Sequence, residues 1–246
     1  MVDQGIEARP PGRIRGVLFD KDGTLFEYHG TWVPILFESA AMVAGSDGAL
    51  VSRMLEAVGY DGKSGRIRAG SLFAGGDTLE LADAWLALGV KRERAELVAA
   101  LDETFARLAP ASSVPVTDLA ALFATLTGRG MKLGVATNDV EASARASMTR
   151  LALDPFLSFQ AGYDSGHGTK PEPGMALAFC AAVGLAPAAI AIVGDNLHDL
   201  EFAARAGAGL KVGVLTGTSG RADLAPAADA VIDSIAELPA LLDRIG

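Results

Sequence analysis

The stretch that most constrains this chain is Val17-Leu18-Phe19-Asp20-Lys21-Asp22-Gly23-Thr24-Leu25. Gly16 to Phe19 are apolar or small, and so short a run reads as a buried strand. It leads into two aspartates one residue apart. Successive strand side chains point to opposite faces, so alternation turns Asp20 and Asp22 the same way and Lys21 away from both. Two carboxylates about 4 Å apart repel by roughly 4 kcal/mol at an effective dielectric near 20. A fold tolerates such a pair when a cation sits nearby or one carboxyl holds a proton. Gly23 permits a sharp turn and close approach of a ligand to the backbone, and Thr24 adds a hydroxyl. Together these features suggest a metal-assisted site at the carboxyl end of a parallel strand, where open α/β sheets bind ligands. Asp-x-Asp-Gly also opens calcium loops, but those need further spaced acids and a closing glutamate; Thr24-Leu25-Phe26 does not fit.

The rest of the chain divides by pattern. Pro34 suits the first turn of a helix running to about Ala44. Helices are expected near Asp47–Val58, Asp77–Leu88 and Lys91–Leu108, with no convincing strand among them. A polar, glycine-rich patch, Asp61 to Gly70, interrupts the series. From Thr117 onward helices alternate with short apolar runs: Met131–Ala136, Phe156–Ala161, Ala189–Val193, Lys211–Leu215 and Ala230–Ile232. Alternation of this kind argues a parallel sheet with right-handed crossovers. The fold class is therefore α/β, a Rossmann-like three-layer core with an inserted all-helical cap. The expected boundaries are 1–30 and 114–246 for the core and 31–113 for the cap. At 246 residues such a chain can bury a substantial core.

The net charge of -9 disfavours nucleic acid and anionic membrane as partners. An anionic substrate then needs a metal or local positive charge. Cys180 is the one cysteine, so no intrachain disulfide forms, and its apolar helical setting suggests a buried thiol. Met1 to Arg15 has no hydrophobic run of the signal-peptide kind and reads as a loose leader, and no apolar run reaches transmembrane length. A cytoplasmic location is expected. The oligomeric state is left open.

Three apolar strands end in polar residues: at Asp20, at Thr137-Asn138-Asp139 and at Gly194-Asp195. In a parallel sheet these ends share one edge. Lys170-Pro171 lies in a loop between the second and third, and Asp199 follows Asp195 by four residues. In this order and spacing, Asp20-x-Asp22-Gly-Thr, Thr137-Asn138, Lys170-Pro171 and Gly194-Asp195-x-x-x-Asp199 resemble the haloacid dehalogenase-like hydrolase superfamily. The nearest branch is that of phosphoglycolate phosphatase-like enzymes with a helical cap. The resemblance covers roughly Arg15 to Ile245.

The resemblance implies a role for each matching position. Asp20 is the expected nucleophile, forming an aspartyl-phosphate, and Asp22 the expected acid and base. Thr137 and Lys170 would hold the transferring phosphoryl group, with Asn138 and the Gly23 turn also in the substrate-binding set. Mg²⁺ is the expected cofactor, held by the Asp20 carboxylate, the Asp22 backbone carbonyl and Asp195, with Asp199 behind them. The implied function is a Mg²⁺-dependent phosphatase of a small phosphorylated metabolite, phosphoglycolate being one candidate. A phosphosugar mutase of the beta-phosphoglucomutase type shares the chemistry, and a non-catalytic phosphate-binding module is the remaining alternative. Read alone, Thr137-Asn138-Asp139 would serve to cap a helix, and Asp195 and Asp199 would be a cap and a first-turn charge. Arg66 and Arg68 are candidates for a substrate carboxylate or second phosphate, equally well solvated loop arginines. Lys21 is expected to be structural or to touch the cap. For His29, His167 and His198 a surface or packing role is expected, His167 being the best exception since its loop carries Lys170.

Overall fold

The computed structural model describes residues 14–245; the expected leader, up to residue 13, lies outside them. Strand β1 (Gly16–Phe19) is the centre of a six-stranded parallel sheet. Strands β4 (Lys132–Ala136) and β5 (Leu157–Ala161) extend it on one side. Strands β6 (Ile190–Gly194), β7 (Leu210–Val214) and β8 (Ala230–Ile232) extend it on the other, giving the order β5-β4-β1-β6-β7-β8. The chain reverses its direction of travel at β1, which opens a crevice at the carboxyl ends of β1, β4 and β6.

Alternation along the strands supplies two apolar faces. Val17, Phe19, Val135 and Val193 join helices α6 (Leu119–Gly128) and α11 (Leu238–Ile245) in one core cluster. Leu18, Ala136 and Ile192 join α8 (Gly174–Val183) and α9 (Leu197–Ala206) in the other. Every residue of β1 is buried, as expected for a strand covered on both faces. Cys180 lies on α8 as a buried free thiol. Helix α7 (Glu141–Arg150) connects β4 to β5. Among the described residues no helix is long and apolar enough to cross a membrane.

Between β1 and α6 the chain builds a separate apolar cluster from α1 (Tyr28–Ala44), α2 (Gly48–Ala57), α3 (Leu72–Gly75), α4 (Thr78–Ala87) and α5 (Arg94–Ser112). Trp85, Leu97 and Leu101 lie at its centre with no exposed surface. The segment is helical except for a small antiparallel hairpin, β2 (Tyr60–Asp61) with β3 (Arg66–Ile67), within the glycine-rich patch. Helix α1 begins at Tyr28 rather than at Pro34, which lies inside it. Glu27 caps that start by accepting the Gly30 N–H at 2.6 Å. Capping at Glu27 and burial of Tyr28, Trp32 and Ile35 outweigh the lost backbone bond at proline. Asp77 caps α4 in a full capping box with Glu80.

Candidate active site

Asp20, the expected nucleophile, is positioned by β1. Asp20 continues that strand, its N–H donating to the Val193 carbonyl at 2.8 Å. The chain then turns at once: Leu25 and Phe26 both donate back to the Lys21 carbonyl. Asp20 and Asp22 thus line one cavity through a turn, not through strand alternation. The same turn corrects the expectation for Lys21. Its ammonium does not point away from the pair but lies 3.0 Å from Asp22 and 2.6 Å from Asp139, with no exposed surface. Ser143 accepts from it at 3.3 Å, and the Trp32 ring lies 5.4 Å away. Lys21 is the counter-ion of two buried carboxylates.

Lys170 plays the corresponding part for Asp20. Its ammonium bridges Asp20 Oδ1 at 2.6 Å and Asp199 Oδ1 at 2.7 Å. The loop that delivers it is clamped by Asn138, whose Oδ1 accepts the Lys170 N–H at 2.8 Å and whose Nδ2 donates to the Lys170 carbonyl at 3.1 Å. The Asn138 amide also donates to the Gly75 carbonyl at 2.8 Å. Asn138 lines the cavity, and its side chain also positions Lys170 and the Gly75 end of α3. Thr137, 3% exposed, lines the cavity and accepts the Asp139 N–H at 3.1 Å. The Thr137-Asn138-Asp139 run does not supply the cap of α7, which begins after Val140 without a side-chain cap.

Asp195 follows β6. Its Oδ2 accepts the Thr218 N–H at 2.8 Å, from a loop after β7 that sequence patterning left unassigned. The small polar run Thr216-Gly-Thr-Ser at a strand end was the available signal. Gly23 closes the other side. At φ +90°, a Cβ there would stand 2.6 Å from the Asp195 carboxyl carbon, so only glycine fits. Asp199 joins both readings weighed above: it completes a capping box with Asn196 at the start of α9, and it binds Lys170.

Asp20, Asp195 and Asp199 each offer a carboxylate oxygen within 4.8 Å of the others, and all three are buried. Burial pushes the Asp20 carboxyl up to about 7, Lys170 pulls it down, and Asp199 pushes it up. Burial, then Asp20 and Asp199, drive Asp195 well above the carboxylate range. Burial raises Asp199 too, but the nearby His198 ring and then the Lys170 ammonium draw it back, and the net shift is downward. Burial lowers the proton affinity of His198 itself, against the pull of Asp199. Burial also raises Asp22, against the pull of Lys21. Hard oxygen donors with too much negative charge for one lysine fit a divalent cation such as Mg²⁺.

Above the acids, α1, α3, α4 and α5 roof a cavity with about 590 Å³ of empty space. Three contacts tie roof to floor: Asn138 to the Gly75 carbonyl, Asn196 to the Ala74 carbonyl at 3.2 Å, and the Tyr163 hydroxyl to Asp102 at 2.6 Å. A Cβ at Gly75 would meet the His198 ring at 2.6 Å. His198, not His167, lines the cavity; the His167 ring packs 6.1 Å from Phe159. The His29 ring accepts the Ile67 N–H. Arg66 and Arg68 do not line the cavity, and Arg68 spends its guanidinium on the Tyr60 and Glu56 carbonyls.

The sequence model of haloacid dehalogenase-like hydrolases matches residues 14–207. The chain is 28% identical over 235 residues to the N-acetylmuramic acid 6-phosphate phosphatase of Pseudomonas aeruginosa, covering 94% of this chain and 96% of that protein. It is 39% identical over 84 residues to "Probable phosphatase IndB" of Dickeya dadantii, covering 34% of this chain and 36% of that protein. This second match thus spans about a third of the curated relative's length. A crystal structure of a hydrolase from Pseudomonas syringae superposes with a TM-score of 0.70 at 22% identity, over 94% of this chain and 99% of that one.

Proposed function

Since the chain belongs to the haloacid dehalogenase-like hydrolases, we propose that it is a Mg²⁺-dependent phosphatase of a small phosphorylated metabolite, acting through an aspartyl-phosphate on Asp20. The observation that carries this reading is the Lys170 ammonium shared between Asp20 and Asp199, with the Asp195 carboxylate close by. A phosphate dianion does not approach a carboxylate nucleophile unless positive charge masks both, and phosphoryl transfer asks a protein mainly for positioning and charge stabilisation. The Asp20 and Asp195 carboxylates and the Asp22 backbone carbonyl would hold Mg²⁺, which neutralises charge on the phosphoryl oxygens when bound.

The chain's own residues do the rest. Lys170 holds one Asp20 oxygen, leaving the other for phosphorus. Asp22, one of whose oxygens is buried without a protein partner, gives a proton to the leaving oxygen and takes one from the attacking water. Thr137 donates its hydroxyl to the phosphoryl group. Residues 31–113, which we read as the cap, close over the cavity and exclude water. The cytoplasm is the expected compartment. No contact in the cavity favours the mutase or the non-catalytic alternative.

The test is a screen of phosphorylated metabolites with Mg²⁺ on the wild type and on Asp20→Asn. The expected outcome is phosphate release by the wild type, its loss on adding EDTA, and no turnover by a folded Asp20→Asn protein. Wild-type turnover by that variant refutes the assigned nucleophile.

A further inference from the structure

We infer that the leaving group taken by this site is an uncharged alcohol with an apolar body, aromatic or branched aliphatic, and that esters bearing a second anionic group are rejected. The inference rests on the phosphatase reading above and names its substrate class.

The roof of the cavity supplies Tyr28, Trp32, Leu72, Phe73, Leu81 and Phe105. Trp32 meets Phe105 and Phe73 edge to face, with ring centroids 5.3 and 5.8 Å away. The Tyr28 hydroxyl is not free, since it donates to the Phe73 carbonyl at 2.5 Å. The Trp32 N–H is buried beside the Asp22 carboxyl and, against the effect of burial, lowers its proton affinity, so it faces an acid of the floor rather than the leaving group.

Charge decides the rest. Among the described residues no arginine or lysine lines the cavity. Both buried lysines beside it are already shared, Lys170 by Asp20 and Asp199 and Lys21 by Asp22 and Asp139. The one basic side chain in the lining among the described residues, His198, lies on the floor 3.5 Å from Asp199. The roof adds a further carboxylate, Asp77, whose Oδ1 accepts the Glu80 N–H. A carboxylate or second phosphate on the leaving group would be desolvated among rings, facing acids, with no free cation to meet it. Such burial is strongly unfavourable. A sugar fares better than an anion but worse than an apolar alcohol, because its hydroxyls would lose water against aromatic faces.

The experiment compares matched esters on the wild-type protein with Mg²⁺: benzyl phosphate against its 4-carboxy derivative, ethyl phosphate against phosphoglycolate, and glucose 6-phosphate beside them. Benzyl phosphate is expected to exceed the carboxybenzyl ester at least a hundredfold in kcat/KM, and to exceed glucose 6-phosphate as well. Leu72→Arg, at a half-buried position on the roof, is expected to narrow the first ratio below tenfold. A carboxylated ester used as well as its neutral partner, or glucose 6-phosphate preferred to benzyl phosphate, overturns the inference. If the wild type hydrolyses none of them, the nucleophile reading fails separately. The benzyl pair is then titrated calorimetrically into Asp20→Asn with Mg²⁺. Tighter binding of the neutral ester upholds the substrate class; equal binding, or none, overturns it.

Discussion

Lys21→Met removes an ammonium from one of the least accessible points of the protein and leaves the side-chain volume nearly unchanged. The ammonium sits 2.6 Å from Asp139 and 3.0 Å from Asp22, and no part of the side chain is exposed. Breaking a buried pair by deleting one partner costs roughly 3–5 kcal/mol, because the remaining charge is uncompensated. The protein can limit that loss by keeping a proton on one carboxyl. At pH 7.5 this costs about 5 kcal/mol for an acid whose ordinary pKa is near 4, at about 1.4 kcal/mol per pH unit. Both routes give a destabilisation of about 3–5 kcal/mol at pH 7.5, a large part of the roughly 5–15 kcal/mol typical of a folded domain.

The sign of the pH dependence follows. In the variant the native state binds a proton that the unfolded chain has released, so stability falls as pH rises and recovers as pH falls. Urea unfolding in the presence of EDTA at pH 7.5 and 5.5 reads both quantities. The deficit against wild type should shrink by about 2–3 kcal/mol at the lower pH. The double variant Lys21→Met, Asp139→Asn, which removes one of the stranded charges, should recover part of the loss at pH 7.5. A Lys21→Met protein within about 1 kcal/mol of wild type at pH 7.5 would refute this account of the pair, since an exposed ion pair is worth no more than that.

Three further outcomes are expected. Mg²⁺ affinity should rise between pH 6 and 8 by up to about tenfold per proton displaced per pH unit, because burial pushes the metal-free Asp20 carboxyl up to about 7 and binding requires its anion; calorimetry in buffers of different ionisation heat reads the proton release, and equal affinity at both pH values counts against the site. Gly23→Ala should weaken Mg²⁺ binding more than about tenfold, since its Cβ would stand 2.6 Å from the Asp195 carboxyl carbon at φ +90°; unchanged affinity in the same titration removes the glycine from the site. Gly75→Val should lower kcat/KM about tenfold or more by holding the α3 loop off His198, and His198→Ala should restore part of it; steady-state kinetics beside thermal unfolding separates this from a folding defect, and full activity in Gly75→Val would mean that the loop need not seat.

Residues tied to strand ends were legible without coordinates. Asp20, Thr137 and Asp195 each follow an apolar run, and a parallel sheet brings all such ends to one edge whatever the distance along the chain. Lys170 was legible through its place in a motif series, and its 2.6 Å contact with Asp20 follows from that edge plus one loop. The helical segment between β1 and α6 could be read from its lack of strand patterns, but its small hairpin and the early start of α1 could not. A cap at Glu27 and the burial of Tyr28 and Trp32 outweigh what Pro34 signals locally. Lys21 was misread because strand alternation was extended past Phe19, where the chain is already turning. Only the tertiary structure decided that Asn138 clamps Lys170, that Thr218 holds Asp195, that His198 rather than His167 lines the cavity, and that Arg68 is spent on carbonyls. The physical reason is common to all four. Backbone periodicity reports which way a side chain leaves its own strand or helix, whereas a partner supplied by another loop depends on where that loop ends in space.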